Sequence, residues 1–175
     1  MRRIVLNRQD FSELSGHILY QGAYLFFEAH GSSMSPFIRD SDFLTVQPVE
    51  PSTLKLGDVA FYWIDGGQLI AHRVVGKRAQ HGQLVLQIRG NASFCQDEMV
   101  PASQILGRVT RIQRGEKIIR LERWRWQLIS ILWAKFPALC FMPYRLMRKA
   151  KKIALDCLNR FQTMASVESP NRMQR

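Results

Sequence analysis

Between about residue 23 and residue 112, the chain is written in short apolar runs, each cut by glycine, proline, aspartate or asparagine before a helix of ordinary length could form. Strands of about four to eight residues fit that spacing. "AYLFFEA" leads towards Gly31, and "FLTVQPV" follows the turn "RDSD", with Pro48 placing that strand at an end or an edge. "GDVAFYWI" and "QLIAHRVVGKR" flank "DGG", a short hairpin connection. "QLVLQIRG" and "QILGRVTRIQRG" close the region. The expectation is a mainly β domain.

The composition changes beyond it. Residues 116–160 contain no glycine and are rich in arginine, lysine, leucine and tryptophan, which predicts helix, broken or kinked at Pro137 and Pro143. Three regions result: an N-terminal extension at 1–22, the β-domain at 23–112, and a basic, tryptophan-rich helical tail at 113–175 with a polar end. Within the extension, "DFSELSGHILYQG" is expected to form one short helix capped by Asp10 or Ser12. A chain of 175 residues suffices for one core plus an appendage.

A net charge of +11 calls for an anionic partner, nucleic acid or membrane. No base-reading motif is present, so nucleic acid is not expected. Cys95, Cys140 and Cys157 are widely spaced and odd in number, the pattern of reduced thiols; neither metal nor cofactor is expected. The start, "MRRIVLNRQDF", has arginines with no apolar run behind them, so export is not expected.

The stretch "EAHGSSMSPFIRDSD", residues 28–42, carries the candidate chemistry. A serine hydroxyl attacks a carbonyl only when a base takes its proton and donors await the oxyanion. Gly31 permits unusual backbone angles, Pro36 stiffens the exit and Met34 packs inward, so N–H groups near Ser33 can converge. A serine in such a turn also serves purely structural ends. The base must come from elsewhere. Among four histidines, His72 stands inside the apolar run "LIAHRVV", either as a core residue with a polar partner or as the base. His30 is too near Ser33 in sequence to face it, and His17 and His81 lie in polar, solvated surroundings.

"GSSMSPFIRDSDFLTVQPV", "LKLGDVAFYW", "LIAHRVVG" and "IRGNASFCQDEMVPASQILGRV" together resemble, in order and spacing, the boxes of the type I signal peptidase family and of the related repressor-type autoproteases. The resemblance covers about residues 26–112. It implies that family's β-fold with a C-terminal α-helical appendage, and serine endopeptidase activity. The family's GxSMxP box falls on Gly31, Ser33, Met34 and Pro36, making Ser33 the nucleophile. Most bacterial relatives use a lysine base; the matching position here is His72, similar to the "HRV" of the archaeal and endoplasmic reticulum branch. That branch carries Gly-Asp where this chain has Gly90-Asn91, and Asp97 matches its next acid, which would orient His72; Glu98 is the second choice. Gly31 occupies the family's side-chain oxyanion-donor position, so the hole would use the Ser33 N–H and the Ser32 hydroxyl. Asp42 and Asp58 match acidic positions that read as turn and scaffold residues.

The resemblance implies a precursor protein or leader peptide as substrate. The apolar stretch Leu128–Tyr144 is short for a span of ~20 residues and is interrupted by Lys135 and two prolines. It reads as a helix covering the β-domain, as an interfacial anchor with residues 116–152 holding the protein at a membrane surface, or, least favoured, as a true transmembrane helix. A bacterial inner membrane, with the site on its cytoplasmic face, is the expected location. Two alternatives stay open: a self-cleaving regulatory protein, or a non-catalytic binding module on the same fold.

Overall fold

The computed structural model describes residues 6–64, 66–91 and 97–136. The sequence-predicted strands form one antiparallel sheet. In chain order the elements are α1 (Arg8–Tyr20), β1 (Leu25–Glu28), β2 (Phe43–Pro48), β3 (Val59–Ile64), β4 (Gln68–Gln80), β5 (Gln83–Arg89), β6 (Glu98–Pro101), β7 (Ile105–Arg114), β8 (Lys117–Arg120) and α2 (Trp124–Lys135). The spatial order is β1-β2-β7-β3-β4-β5-β6. Strand β8 pairs with residues 111–114 of β7, continuing the side that β3 occupies along residues 105–108. The fold is mainly β, with a helix following the sheet.

Period-two alternation sends two apolar sets to opposite faces. One face gathers Leu44, Val46, Val59, Phe61, Val109 and Ile112, with Met34, Phe37 and Ile38 folded over it from the loop after β1. The other gathers Ala60, Tyr62, Val74, Leu86, Ile88 and Val100. Strand β3, "VAFYWI", contributes to both faces, which is why its first four residues are all buried and its sequence is an almost unbroken apolar run.

Helix α1 caps on the side chain of Asn7, which accepts from the Asp10 N–H; the expectation of Asp10 or Ser12 as cap was displaced by three and five residues respectively. Ser12 lies inside the helix, and its hydroxyl donates to the Gly67 carbonyl at 2.5 Å, tying α1 to the β3–β4 hairpin.

The helical reading of residues 116–160 is corrected at its start. Gly115, with φ +56°, turns the chain back, and "KIIR" pairs as β8 with Ile119 buried. The expected 112/113 boundary therefore falls inside β7. Helix α2 belongs with the sheet: Trp126, Ile129 and Trp133 pack on the first cluster, and a Cβ at Gly57 would stand 3.0 Å from the Ile131 nitrogen. A chain ending near residue 114 would lose these contacts, so the β-domain does not stop where the composition changes. Pro137, Pro143, the three cysteines and the tail beyond residue 136 lie outside the described residues.

Candidate active site

The loop after β1 is closed at its base by two backbone bonds, Ala29 N–H to the Asp42 carbonyl at 2.7 Å and Ser41 N–H to the Ala29 carbonyl at 2.8 Å. Asp42 is buried and is gripped by the Arg114 guanidinium at 2.8 and 2.7 Å, while its carboxylate also accepts the Arg39 N–H. Inside this frame Gly31 adopts φ +105°, as its position in the motif suggested, and donates its N–H to Asp40 at 2.8 Å. Met34, Phe37 and Ile38 point into the core, each worth about 1.5–3 kcal/mol of burial. The Ser35–Pro36 peptide is cis, and the Phe37 and Ile38 N–H groups both bond to the Met34 carbonyl. The anchored residues thus hold Ser32 and Ser33 outward, exposed to solvent.

His72 arrives from β4. Its Nε2 stands 2.9 Å from the Ser33 Oγ across 39 residues of sequence, and its ring is buried. A Cβ at Gly90 would sit 3.1 Å from both the His72 Nε2 and the Ser33 carbonyl, closer than ordinary van der Waals contact, so a larger residue there would press on both groups. His72 shares its face with Ala60 and Tyr62, because β3 and β4 pair in the register Ala60–His72 and Tyr62–Ile70. The Tyr62 hydroxyl lies 3.2 Å from the His72 Nδ1 and donates to Glu98 Oε2 at 2.6 Å. Glu98 Oε1 is 3.9 Å from the same Nδ1.

The expectation that Asp97 orients His72 is corrected by this geometry. The Asp97 carboxylate accepts from Arg89 and Gln87. Arg89 pairs with Arg73, whereas Glu98 pairs with Ile88 on the opposite face, the face of His72. Neighbouring residues entering a strand alternate sides, so only one of the two acids can serve the imidazole.

Electrostatics follow from these positions. Burial lowers the His72 pKa below its ordinary 6.5, and the Glu98 charge opposes that shift, so the ring is neutral near pH 7 and able to accept a proton. Burial first, then the hydrogen bond and charge of Glu98, raises the Tyr62 phenol far above its ordinary value. The Arg89 hydrogen bond leads the effects that hold Asp97 below the usual carboxylate range.

Among the described residues nothing accepts the Ser33 N–H, and Ser32 beside it is exposed. The other histidines stand apart. His30 is exposed, 3.9 Å from Asp40; His17 bonds Gln21; His81 occupies the β4–β5 turn with φ 50°. Asp58 accepts the Lys55 N–H and lies 3.5 Å from Arg108. Asn91 is buried against Arg73, accepting its Nε–H at 3.0 Å, and lies outside the Ser33–His72 contact.

Sequence reasoning passed over Tyr62, which reads as core within "VAFYWI". A signal was available: a hairpin centred on "DGG" sets Ala60 against His72, and parity then puts Tyr62 on the same face. No protein-family model matches this chain, and no curated protein does either.

Proposed function

We propose that this protein is a serine endopeptidase of the signal-peptidase kind, which removes a leader or signal segment from a precursor protein. The observation that carries the reading is the 2.9 Å contact between an exposed serine hydroxyl on an anchored turn and a buried, neutral imidazole. As the Ser33 Oγ attacks the scissile carbonyl carbon, its proton passes to the His72 Nε2. The carbonyl oxygen takes the developing charge and is met by the Ser33 N–H and the Ser32 hydroxyl. His72 then gives the proton to the departing amine, and water, deprotonated by the same nitrogen, hydrolyses the acyl-enzyme.

A membrane surface is the proposed setting. On α2, Trp124, Leu128 and Leu132 recur every four residues, Phe136 follows just past the helix end, and each of the four is more than half exposed, while Trp126, Ile129 and Trp133 pack on the first cluster of the sheet. Arg123, Arg125 and Lys135 flank that outward stripe, the pairing of apolar face and cationic edge that suits an anionic interface. Among the described residues no helix is long and apolar enough to cross a membrane.

The test is cleavage itself. Cells carrying Ser33→Ala in place of the native residue should accumulate one or more precursors with intact leaders, identified by sequencing protein N-termini. Identical N-terminal profiles in the two strains would contradict the proposal.

A further inference from the structure

Beside His72 stands the Tyr62 phenol, whose hydrogen-bond directions are fixed by its partners. An ionised carboxylate has only acceptor capacity, so the 2.6 Å contact with Glu98 uses the single O–H proton of Tyr62. With that proton spent, the Tyr62 oxygen can only accept from its other partner, the His72 Nδ1 at 3.2 Å. Nδ1 must then carry the ring proton. Neutral imidazole has one N–H, so the Nε2 lone pair is left facing the Ser33 hydroxyl at 2.9 Å.

We propose that Tyr62 is a positioning residue which, with its O–H committed to Glu98, imposes the Nδ1–H tautomer on His72 and so keeps Nε2 as the acceptor for Ser33. This rests on the peptidase reading of Ser33 and His72 and replaces the direct imidazole–carboxylate contact with a bridge. Glu98 acts through the phenol: at 3.9 Å its nearer oxygen lies beyond hydrogen-bond distance of Nδ1. The arrangement also suits the solvent boundary. The Glu98 side chain is 46% exposed, while Tyr62 is fully buried, so the phenol carries the influence of a solvated carboxylate inward to a ring that is 8% exposed. Among the described residues, three groups face His72: Tyr62 from β3, Glu98 from β6 and Ser33 from the loop after β1. The nearby charges of Arg89 and Asp97 are engaged with each other. When Nε2 takes the serine proton, both ring nitrogens bear hydrogen, and the bridge to a carboxylate stabilises the imidazolium through the oriented phenol.

The experiment uses the full chain labelled with ¹⁵N-histidine, its His72 signals identified by their loss in His72→Gln, together with the rate at which a fluorophosphonate probe acylates Ser33. In the native chain near neutral pH, the Nδ1–H tautomer is expected. Tyr62→Phe keeps the ring volume and removes only the oxygen; it should raise the Nε2–H form and slow acylation about tenfold to a hundredfold, less than the ~10²–10⁴-fold that general-base catalysis supplies. If Tyr62→Phe keeps both the native tautomer and the native rate, the inference is overturned while native labelling of Ser33 leaves the peptidase reading standing. Should that variant fail to fold, Glu98→Gln, at a half-exposed side chain, decides: slower acylation with its acid limb moved to lower pH supports the bridge, and an unchanged rate and pH profile overturns it. A native chain that resists the probe counts against the peptidase reading alone, since the tautomer measurement still tests Tyr62.

Discussion

His72 and Arg73 are consecutive, both buried, and on opposite faces of β4, yet their surroundings assign them different work. The Arg73 guanidinium lies 4.3 Å over the Phe37 ring, donates to the Gly57 carbonyl at 2.8 Å and to Asn91 at 3.0 Å, all fixed parts of the fold. The imidazole of His72 has one nitrogen on a buried phenol and the other on an exposed hydroxyl. A buried polar group enclosed by fixed partners cements packing; one that keeps an atom turned to an exposed, reactive side chain is arranged for chemistry. Asp97 and Glu98 repeat the contrast at β6, the first held by Arg89 and the second directed through Tyr62 to His72.

That contrast breaks first at Ser33. Ser33→Ala should lower precursor cleavage by roughly 10⁴-fold or more while leaving thermal unfolding unchanged, because the residue is exposed and, among the described residues, its side chain bonds His72 alone. Retained turnover would place the chemistry elsewhere. Gly90→Ala should follow: its methyl group would press on both the His72 Nε2 and the Ser33 backbone, cutting the acylation rate by about 10²-fold or more. On the other face, Arg73→Met should cost about 2–3 kcal/mol in denaturant unfolding, since it strands the Gly57 carbonyl and the Asn91 side chain in the core. Below its melting temperature this variant should still label at Ser33.

The two acids offer a finer distinction. Burial depresses His72, so its neutral form, and with it activity, persists below the ordinary imidazole pKa of 6.5 and is lost as the pH falls through the lowered value. The Glu98 charge raises that pKa; Glu98→Gln should therefore move the acid limb of the pH–rate profile further down, even as the rate falls. Asp97→Asn should leave the limb in place. Its effect is on stability, about 1 kcal/mol, present above the ordinary carboxylate pKa and lost as the pH falls through the lowered one, because the carboxylate form is what Arg89 holds.

Much of the sheet was legible because turn residues punctuate it and β3 and β4 carry an apolar pattern that only a strand can use. Strand β8 was not, because four residues between Gly115 and the tryptophan-rich segment share the composition of the helix that follows. The Ser33 turn and His72 could be read from motif and context. The choice between Asp97 and Glu98 could not, since adjacent acids differ by one step of register and the pairing of β5 with β6 is a long-range outcome. Tyr62 was hidden by its own apolar setting: a phenol in a buried strand looks like core until the partner on the neighbouring strand is known. Helix α2 showed its mixture of apolar and basic residues, but which tryptophans turn inward depends on the sheet they meet.

The central claim is that His72 activates Ser33. Timed labelling of the full chain with a fluorophosphonate, with the modified residue mapped by mass spectrometry across a pH series, tests it most directly. The account predicts a single adduct on Ser33, absent in Ser33→Ala, formed about 10²–10⁴-fold more slowly in His72→Gln, and declining as the pH drops below the ordinary imidazole range. An adduct on Ser33 that forms equally fast in His72→Gln, or none at all in the folded native chain, would contradict it.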